Sequence, residues 1–232
     1  TNISDIRKSL IKMDLGDGEI TLATADGFRL AVDKVKVNSN GNAISTDLII
    51  PARTMQEVQR LIPEVDSEIK FSVTEISNQV LFSFDNTQLT SQLVQGQFPD
   101  YSKLIPDSHT TQSVVNREEF LQAARAASIF ARDGSGIVKL IFDPSSSGAV
   151  NIFSSAEEIG DLENQIQAKI EGEEARIAFN SKFLIDVLTV IKSKDIVFEC
   201  ASPSSPGVFQ EYSENSNDNT YTHVVMPMFV QW

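Results

Sequence analysis

Two stretches of this chain follow one plan. "IIPARTMQEVQRLIPEVDSEIKFSV" (49–73) and "RIAFNSKFLIDVLTVIKSKDIVFEC" (176–200) each run from an apolar strand into a helix entry, a helix with apolar spacing, a polar turn and a second apolar strand. They lie roughly 127–129 residues apart, one domain length. An internal repeat restricts the fold more than composition can: it implies two copies of one α+β unit, divided near residues 107–115. The 232 residues suit two domains. Strands outnumbering helices in a duplicated unit point to a symmetrical scaffold rather than a single active cleft.

Local patterns fill in the plan. "GEITLATADGFRLAVDKVKV" (18–37) alternates around Asp26-Gly27 and predicts a hairpin. "STDLIIPARTMQEVQRLI" (45–62) predicts a strand running through Pro51 into a helix whose apolar face is Met55, Val58, Leu61 and Ile62. Residues 67–94 predict three short strands with turns at 75–79 and 85–87. "GQFPDYSKLIPDSHTTQS" (96–113) has the composition of a linker. A helix opens at Arg117, Glu118 and Glu119, with Phe120, Leu121, Ala124, Ala127, Ser128 and Ala131 on one face. "GIVKLIFDP" and "GAVNIFSSA" predict strands, and "AEEIGDLENQ" an acidic, irregular stretch.

Nothing in the sequence assembles a catalytic centre. His109 and His223 have no partner at zinc-ligand spacing. Cys200 follows "IVFE" and is expected to be a buried, inert thiol. As the single cysteine it excludes an intrachain disulfide and fits a cytoplasmic location. "DGSG" (133–136) lacks the Lys of a phosphate loop. Glu157, Glu158, Asp161, Glu163, Glu171, Glu173 and Glu174 lack EF-hand spacing and are expected to form a solvated acidic loop. No metal or cofactor is expected. No run approaches the roughly 18 apolar residues of a membrane-spanning helix. The opening "TNISDIRKSL" begins without Met, as if mid-element, and the expectation is a fragment of something longer.

The net charge of −13 opposes nucleic-acid binding over the surface as a whole. The cations are not spread evenly, however. Arg7 and Lys8 open the chain, Arg53 and Arg60 fall on the first full helix, and Arg117, Arg125 and Arg132 on the second. Lys182, Lys192 and Lys194 fall on or just past the third. Acidic residues occupy loops and strands instead. That distribution fits either a basic face with an acidic back or ordinary solvated helix positions.

"ATADGFRLAV" (23–32), "IPARTMQEVQRLI" (50–62), "TSQLVQGQFPDYSKLIP" (90–106), "IAFNSKFLIDVL" (177–188), "SPSSPGVF" (202–209) and "HVVMPM" (223–228) occur in that order. Together they resemble the bacterial sliding clamp, the beta subunit of DNA polymerase III, over nearly the whole chain. The resemblance implies repeated α+β domains of the DNA-clamp fold, each with two β-sheets and two inward-facing α-helices. Residues 1–110 would be the middle domain, with "SDIRKSL" the end of its truncated first helix, and 111–232 the C-terminal domain. The N-terminal clamp domain would be absent from this chain. The implied role is that of a non-catalytic processivity factor. Its partners would be duplex DNA, bound without regard to sequence, the polymerase III alpha subunit, the clamp loader, repair polymerases, and a second subunit in a head-to-tail homodimer ring. A stand-alone peptide-binding adaptor is the alternative, and scattered carboxylates of an enzyme a third.

The resemblance also gives a reason for the apolar ending "VVMPMFVQW". It implies a pocket for short partner peptides built from Leu10, Gly27, Phe28, Arg29, Leu30, Pro99, Lys103, Leu104, Ser204, Pro206, Val224, Val225, Met226, Pro227 and Met228. Methionine suits such a site because it is flexible and polarisable. Read instead as a plain edge strand, Val224 and Met226 would be core and alternate residues would face outward. Phosphate contacts carry over to Lys8 and Arg53 by position, and to Arg125 and Lys182 by helix placement. Departures from the family pattern are Ala25 before Asp-Gly, small Ser204, Phe229 in place of a basic residue, and Gln231 and Trp232 beyond the usual end. Trp232 could lie over the pocket as a lid.

Overall fold

The computed structural model describes residues 10–16, 18–37, 46–62, 68–74, 78–132, 136–145, 148–156, 160–213 and 220–232. Two compact units divide the chain. The first holds residues up to Asp26 together with Val32–Asp100; the second holds Gly27–Ala31 and Tyr101–Trp232. Lys8, Arg7 and the rest of "SDIRKS", the start of "DGSG", and Glu157 and Glu158 lie outside the described residues; Leu10, expected to end a helix, instead begins a strand.

Strands β1 (Leu10–Gly16), β2 (Glu19–Ala25), β3 (Arg29–Lys36, of which Val32 onward belongs to the first unit) and β4 (Thr46–Pro51) pair in the order β3-β2-β1-β4. Strand β1 runs antiparallel to both β2 and β4. The expected hairpin turn at Asp26-Gly27 is present between β2 and β3. Helix α1 (Ala52–Leu61) follows β4 directly. Pro51 stands one position earlier than the first helical turn, at the N-cap, where it supplies no side-chain acceptor. The expected apolar face is half met: Val58 is buried with Thr54, while Met55, Leu61 and Ile62 pack against the core from its margin. Strands β5 (Lys70–Thr74), β6 (Gln79–Phe84) and β7 (Thr87–Gln92) form a separate antiparallel sheet. Alternation in β6 sends Val80, Phe82 and Phe84 into a core shared with Met13, Ile20, Leu48 and Ile50.

In the second unit the strands are β8 (Thr111–Asn116), β9 (Ile137–Asp143), β10 (Ala149–Ala156), β11 (Gly160–Gly172), β12 (Ala175–Asn180), β13 (Asp195–Cys200), β14 (Gly207–Glu211) and β15 (Tyr221–Val225). They pair in the order β12-β9-β10-β11-β8-β13-β14-β15. Helices α2 (Arg117–Ala131) and α3 (Ser181–Val190) pack together over this sheet. Each follows a strand through an asparagine. Asn116 Oδ1 accepts from the Glu119 N–H at 3.1 Å, and Asn180 Oδ1 from the Lys182 N–H at 3.0 Å. Glu118 and Glu119 add favourable charge to the first turn of α2. Phe120, Ala124 and Ala127 of α2 then meet Leu184 and Leu188 of α3 in one core, with Phe142, Phe179, Phe198 and Phe209 beneath. None of the described helices is long and apolar enough to cross a membrane.

Two sequence expectations are corrected here. The stretch 111–113, read as linker, is the start of β8. Its inward residues are Thr111, Ser113 and Val115, and two small polar side chains hid a two-residue alternation that is buried throughout. "GDLENQ", read as irregular, is the first half of β11. Leu162 and Ile166 face inward from it while Asp161 and Glu163 occupy the solvent face. The acidic residues 161, 163 and 171 therefore belong to a strand face rather than a loop.

Strand β11 changes partner along its length. Residues 160–167 pair with β10 and residues 168–172 with β8. At the change the Ala168 N–H donates to Gly148 O at 3.0 Å. Gly148 sits at φ 78°, and a Cβ there would fall 2.1 Å from Ala168 O. Backbone cannot retreat as a flexible side chain can. Gly148→Ala is therefore expected to cost at least about 2 kcal/mol, combining left-handed strain with overpacking. Urea unfolding midpoints of the two proteins check this.

Candidate partner-binding surface

The hairpin turn supplies the first part of the site. Gly27 turns the chain at φ 88°, which lets the two residues after it face α3. Phe28 stacks on Phe183, with ring centroids 6.0 Å apart and 28° between planes. Arg29 Nη1 donates to Asp186 Oδ2 at 2.5 Å, and its guanidinium carbon lies 4.7 Å from the Phe183 ring centre. Phe183 and Asp186 are three residues apart on α3 and so share a face. One ring stack, one ion pair and one cation–π contact thus fix this turn to the helix.

The C-terminal segment supplies the second part. Strand β15 ends with Val224 and Val225 buried. The Met226 N–H then donates to Phe28 O at 2.8 Å, which places Met226 beside the turn. Phe28 and Met226 are 57% and 41% exposed, so that bond joins two large apolar side chains at the surface. Leu30, Val224, Val225 and Pro227 lie beneath the surface, and Met228 is half-buried. The edge-strand reading had Met226 in the core. The structure shows the opposite, because strand pairing ends at Val225 and Met226 lies beyond it.

The remaining expected pocket residues divide between the two units. Lys103 and Leu104 are exposed on a short 3-10 turn, Tyr101–Leu104. Ser204 is exposed, its hydroxyl 3.2 Å from that of Ser202. Pro206 lines a small cleft with Pro106, His109, Glu199 and Cys200. Leu10, half-buried and opposite Pro51 at the start of β1, and exposed Pro99 belong to the first unit. The Trp232 ring centre lies 5.6 Å from the Lys139 ammonium.

The basic residues sort by environment. Arg53 on α1, Arg125 on α2 and Lys182 on α3 are exposed. Arg60 pairs with Glu57 at 2.8 Å. Arg117 is different: it donates to Leu188 O and Ser193 O, both at 3.2 Å, and so ties the start of α2 to the end of α3. Its charge serves the fold.

In the cleft, Glu199 Oε1 accepts from Gln112 Nε2 at 2.7 Å and lies 3.4 Å from His109 Nδ1. Burial pushes the Cys200 thiol up to about 11. His223 is buried with Nδ1 2.8 Å from the Tyr221 hydroxyl. Among the described residues no group of three or more His, Cys, Asp or Glu could hold a metal ion.

Residues 5–100 match the family model described as DNA polymerase III beta subunit, central domain, and residues 102–229 that described as its C-terminal domain. The chain belongs to the DNA polymerase III beta subunit family. The beta sliding clamp of Bacillus subtilis is 32% identical over 212 residues, covering 90% of this chain and 54% of the relative. That of Halalkalibacterium halodurans is 30% identical over 216 residues, covering 92% and 56%. The chain thus spans about half the length of the curated relatives it matches. A solved Bacillus subtilis sliding clamp superposes with a TM-score of 0.89 at 29% identity, over 100% of this chain and 59% of that one. The polymerase III beta subunit of Pseudomonas aeruginosa gives a TM-score of 0.87 at 23% identity, over 99% and 60%, and supports the fold.

Sequence reasoning named Phe28 and Arg29 but missed Phe183 and Asp186. The available signal was their helical spacing, aromatic with aromatic and acid with base, across a separation of 157 residues for the ion pair. Both Arg29 and Asp186 keep solvent contact, so a double-mutant cycle is expected to give a coupling of no more than about 1 kcal/mol. At pH 8 a thiol titrating near 11 is ionised in roughly one molecule in a thousand. A disulfide-exchange reagent should therefore label Cys200 only after denaturant is added, read by absorbance.

Proposed function

We propose that this chain is part of a non-catalytic processivity factor. It holds partner proteins through the apolar surface around Phe28 and Met226 and takes part in encircling duplex DNA. Residues 111–232 form the clamp's C-terminal domain in this reading. The stretch before them forms its middle domain, with Tyr101–Thr110 leading from one to the other. The observation that carries the proposal is the exposed Met226, pinned by its own backbone to the Phe28 turn in a member of this family. Such a surface can accept an extended peptide with apolar side chains. The gain is in effective concentration: a tethered polymerase rebinds rather than diffusing away.

Arg53, Arg125 and Lys182 are exposed on the three helices and are the cations this reading assigns to phosphate. Contacts of that kind position a duplex without reading it, and they weaken with salt. Ring closure needs a surface to close on. In the second unit no other described strand pairs with residues 160–167 of β11 on the side away from β10. That open edge carries Asp161 and Glu163, and a complementary basic strand could extend the sheet there. The alternative is a stand-alone peptide-binding adaptor that does not encircle DNA.

Calorimetric titration with a synthetic peptide carrying the clamp-contacting motif of the polymerase III alpha subunit tests the surface. Saturable binding is expected, weakened about tenfold or more in a Met226→Ala, Met228→Ala double variant. Absence of binding by the intact chain refutes the reading. The two alternatives separate on closed circular duplex DNA. Retention that resists salt and is lost on linearisation marks a ring, whereas peptide binding without retention marks an adaptor.

A further inference from the structure

We propose that Lys139 is a positioning residue for this surface: with Gln231 and Trp232 it latches the segment 226–232 across the outer face of β9 and β12, and so fixes where Met226 and Met228 stand. The proposal rests on the reading of that surface as a partner site.

Residues 226–232 have no regular structure of their own, and a segment without internal hydrogen bonds is placed only by its ties to the rest of the fold. Three ties are present. The Met226 N–H donates to Phe28 O at 2.8 Å, and the Met228 N–H to Ala178 O at 2.7 Å. Lys139 Nζ donates to Gln231 O at 2.7 Å, with the Trp232 ring centre 5.6 Å from the same ammonium. That distance is within the reach of a cation–π attraction.

The last two ties share one place in the sheet. Ala178 and Lys139 are cross-strand partners in the β12–β9 ladder and so point to the same face. It is the outer face: Ile177 and Phe179 of β12, and Val138 and Leu140 of β9, point to the core. Ala178 is nonetheless only 1% exposed, although it belongs to no core cluster. The segment that hydrogen-bonds to it there covers it. Strand β12 is the outermost strand of this sheet, so the segment also lies along an edge that would otherwise be open.

Between the second tie and the third, Phe229 is 85% exposed and contributes no anchor. The hold on the distal end therefore falls to Lys139. Its side chain supplies both the hydrogen bond to Gln231 and the charge beneath Trp232. Without them, residues 229–232 would lose their hold on β9, and the Met228–Ala178 bond would be left as the last tie on the segment. Met228 would then have to be ordered by the incoming peptide, and that ordering is subtracted from affinity.

Three proteins decide the matter: the unaltered chain, Lys139→Ala and Lys139→Arg. Two readouts are taken, exchange of the Met228 amide followed by NMR and affinity for the same synthetic alpha-subunit peptide. Lys139→Ala should speed exchange of the Met228 amide and weaken peptide binding about five- to tenfold, with the unfolding midpoint unchanged. Lys139→Arg keeps a donor and a cation and should restore both readouts. Unaltered Met228 exchange in Lys139→Ala overturns the latch. Faster exchange with unchanged peptide affinity overturns its positioning role. If the unaltered chain does not bind the peptide, the site reading fails, and amide exchange alone still decides whether the latch exists.

Discussion

The second unit depends on the change of partner within β11. A strand that pairs with β10 through residue 167 and with β8 from residue 168 must serve two ladders with one backbone. The side-chain period of two is kept through the change, so Leu162, Ile166 and Ala168 all stay on the inner face. A slip of one residue at that point would turn half the strand inside out. Close approach of Gly148 to Ala168 O holds the crossing. With β11 fixed, β12-β9-β10 and β8-β13-β14-β15 are placed on either side of it, and the core under α2 and α3 has its walls.

The candidate surface is assembled on that frame from pieces far apart in sequence. The turn at Phe28 and Arg29, the face of α3 with Phe183 and Asp186, and the segment after β15 meet through few but different interactions. None is strong alone. A half-exposed ion pair is worth little, and one ring stack roughly 1 kcal/mol. Their value lies in geometry, because each restrains a different degree of freedom. Residues that give the surface its apolar character can then remain uncovered without collapsing onto one another.

Much of this was legible in the sequence. The repeated strand–helix–strand plan is present as β4–α1–β5 and β12–α3–β13, with ten-residue helices in both. The Asp26-Gly27 hairpin and the face of α2 followed from local period. What failed did so for stated reasons. Strand β8 hides its inward face behind Thr111 and Ser113, which read as turn residues. The front of β11 presents acid to solvent, and its half-buried inner residues were too few to stand out. Arg117 looked like one more surface cation until Leu188 O and Ser193 O were seen to accept from it. Lys139 and Trp232 are 93 positions apart and share no local pattern, so only the fold could introduce them.

The two edges of the second unit are treated unequally. Along β12 the closing segment lies over Ala178, while residues 160–167 of β11 keep one side without a described strand. A body with one sealed rim and one receptive rim has a polarity. Main-chain groups on the open side are free to take one more strand, whereas those of β12 already have a neighbour. Growth of the sheet is thereby confined to one side of the unit.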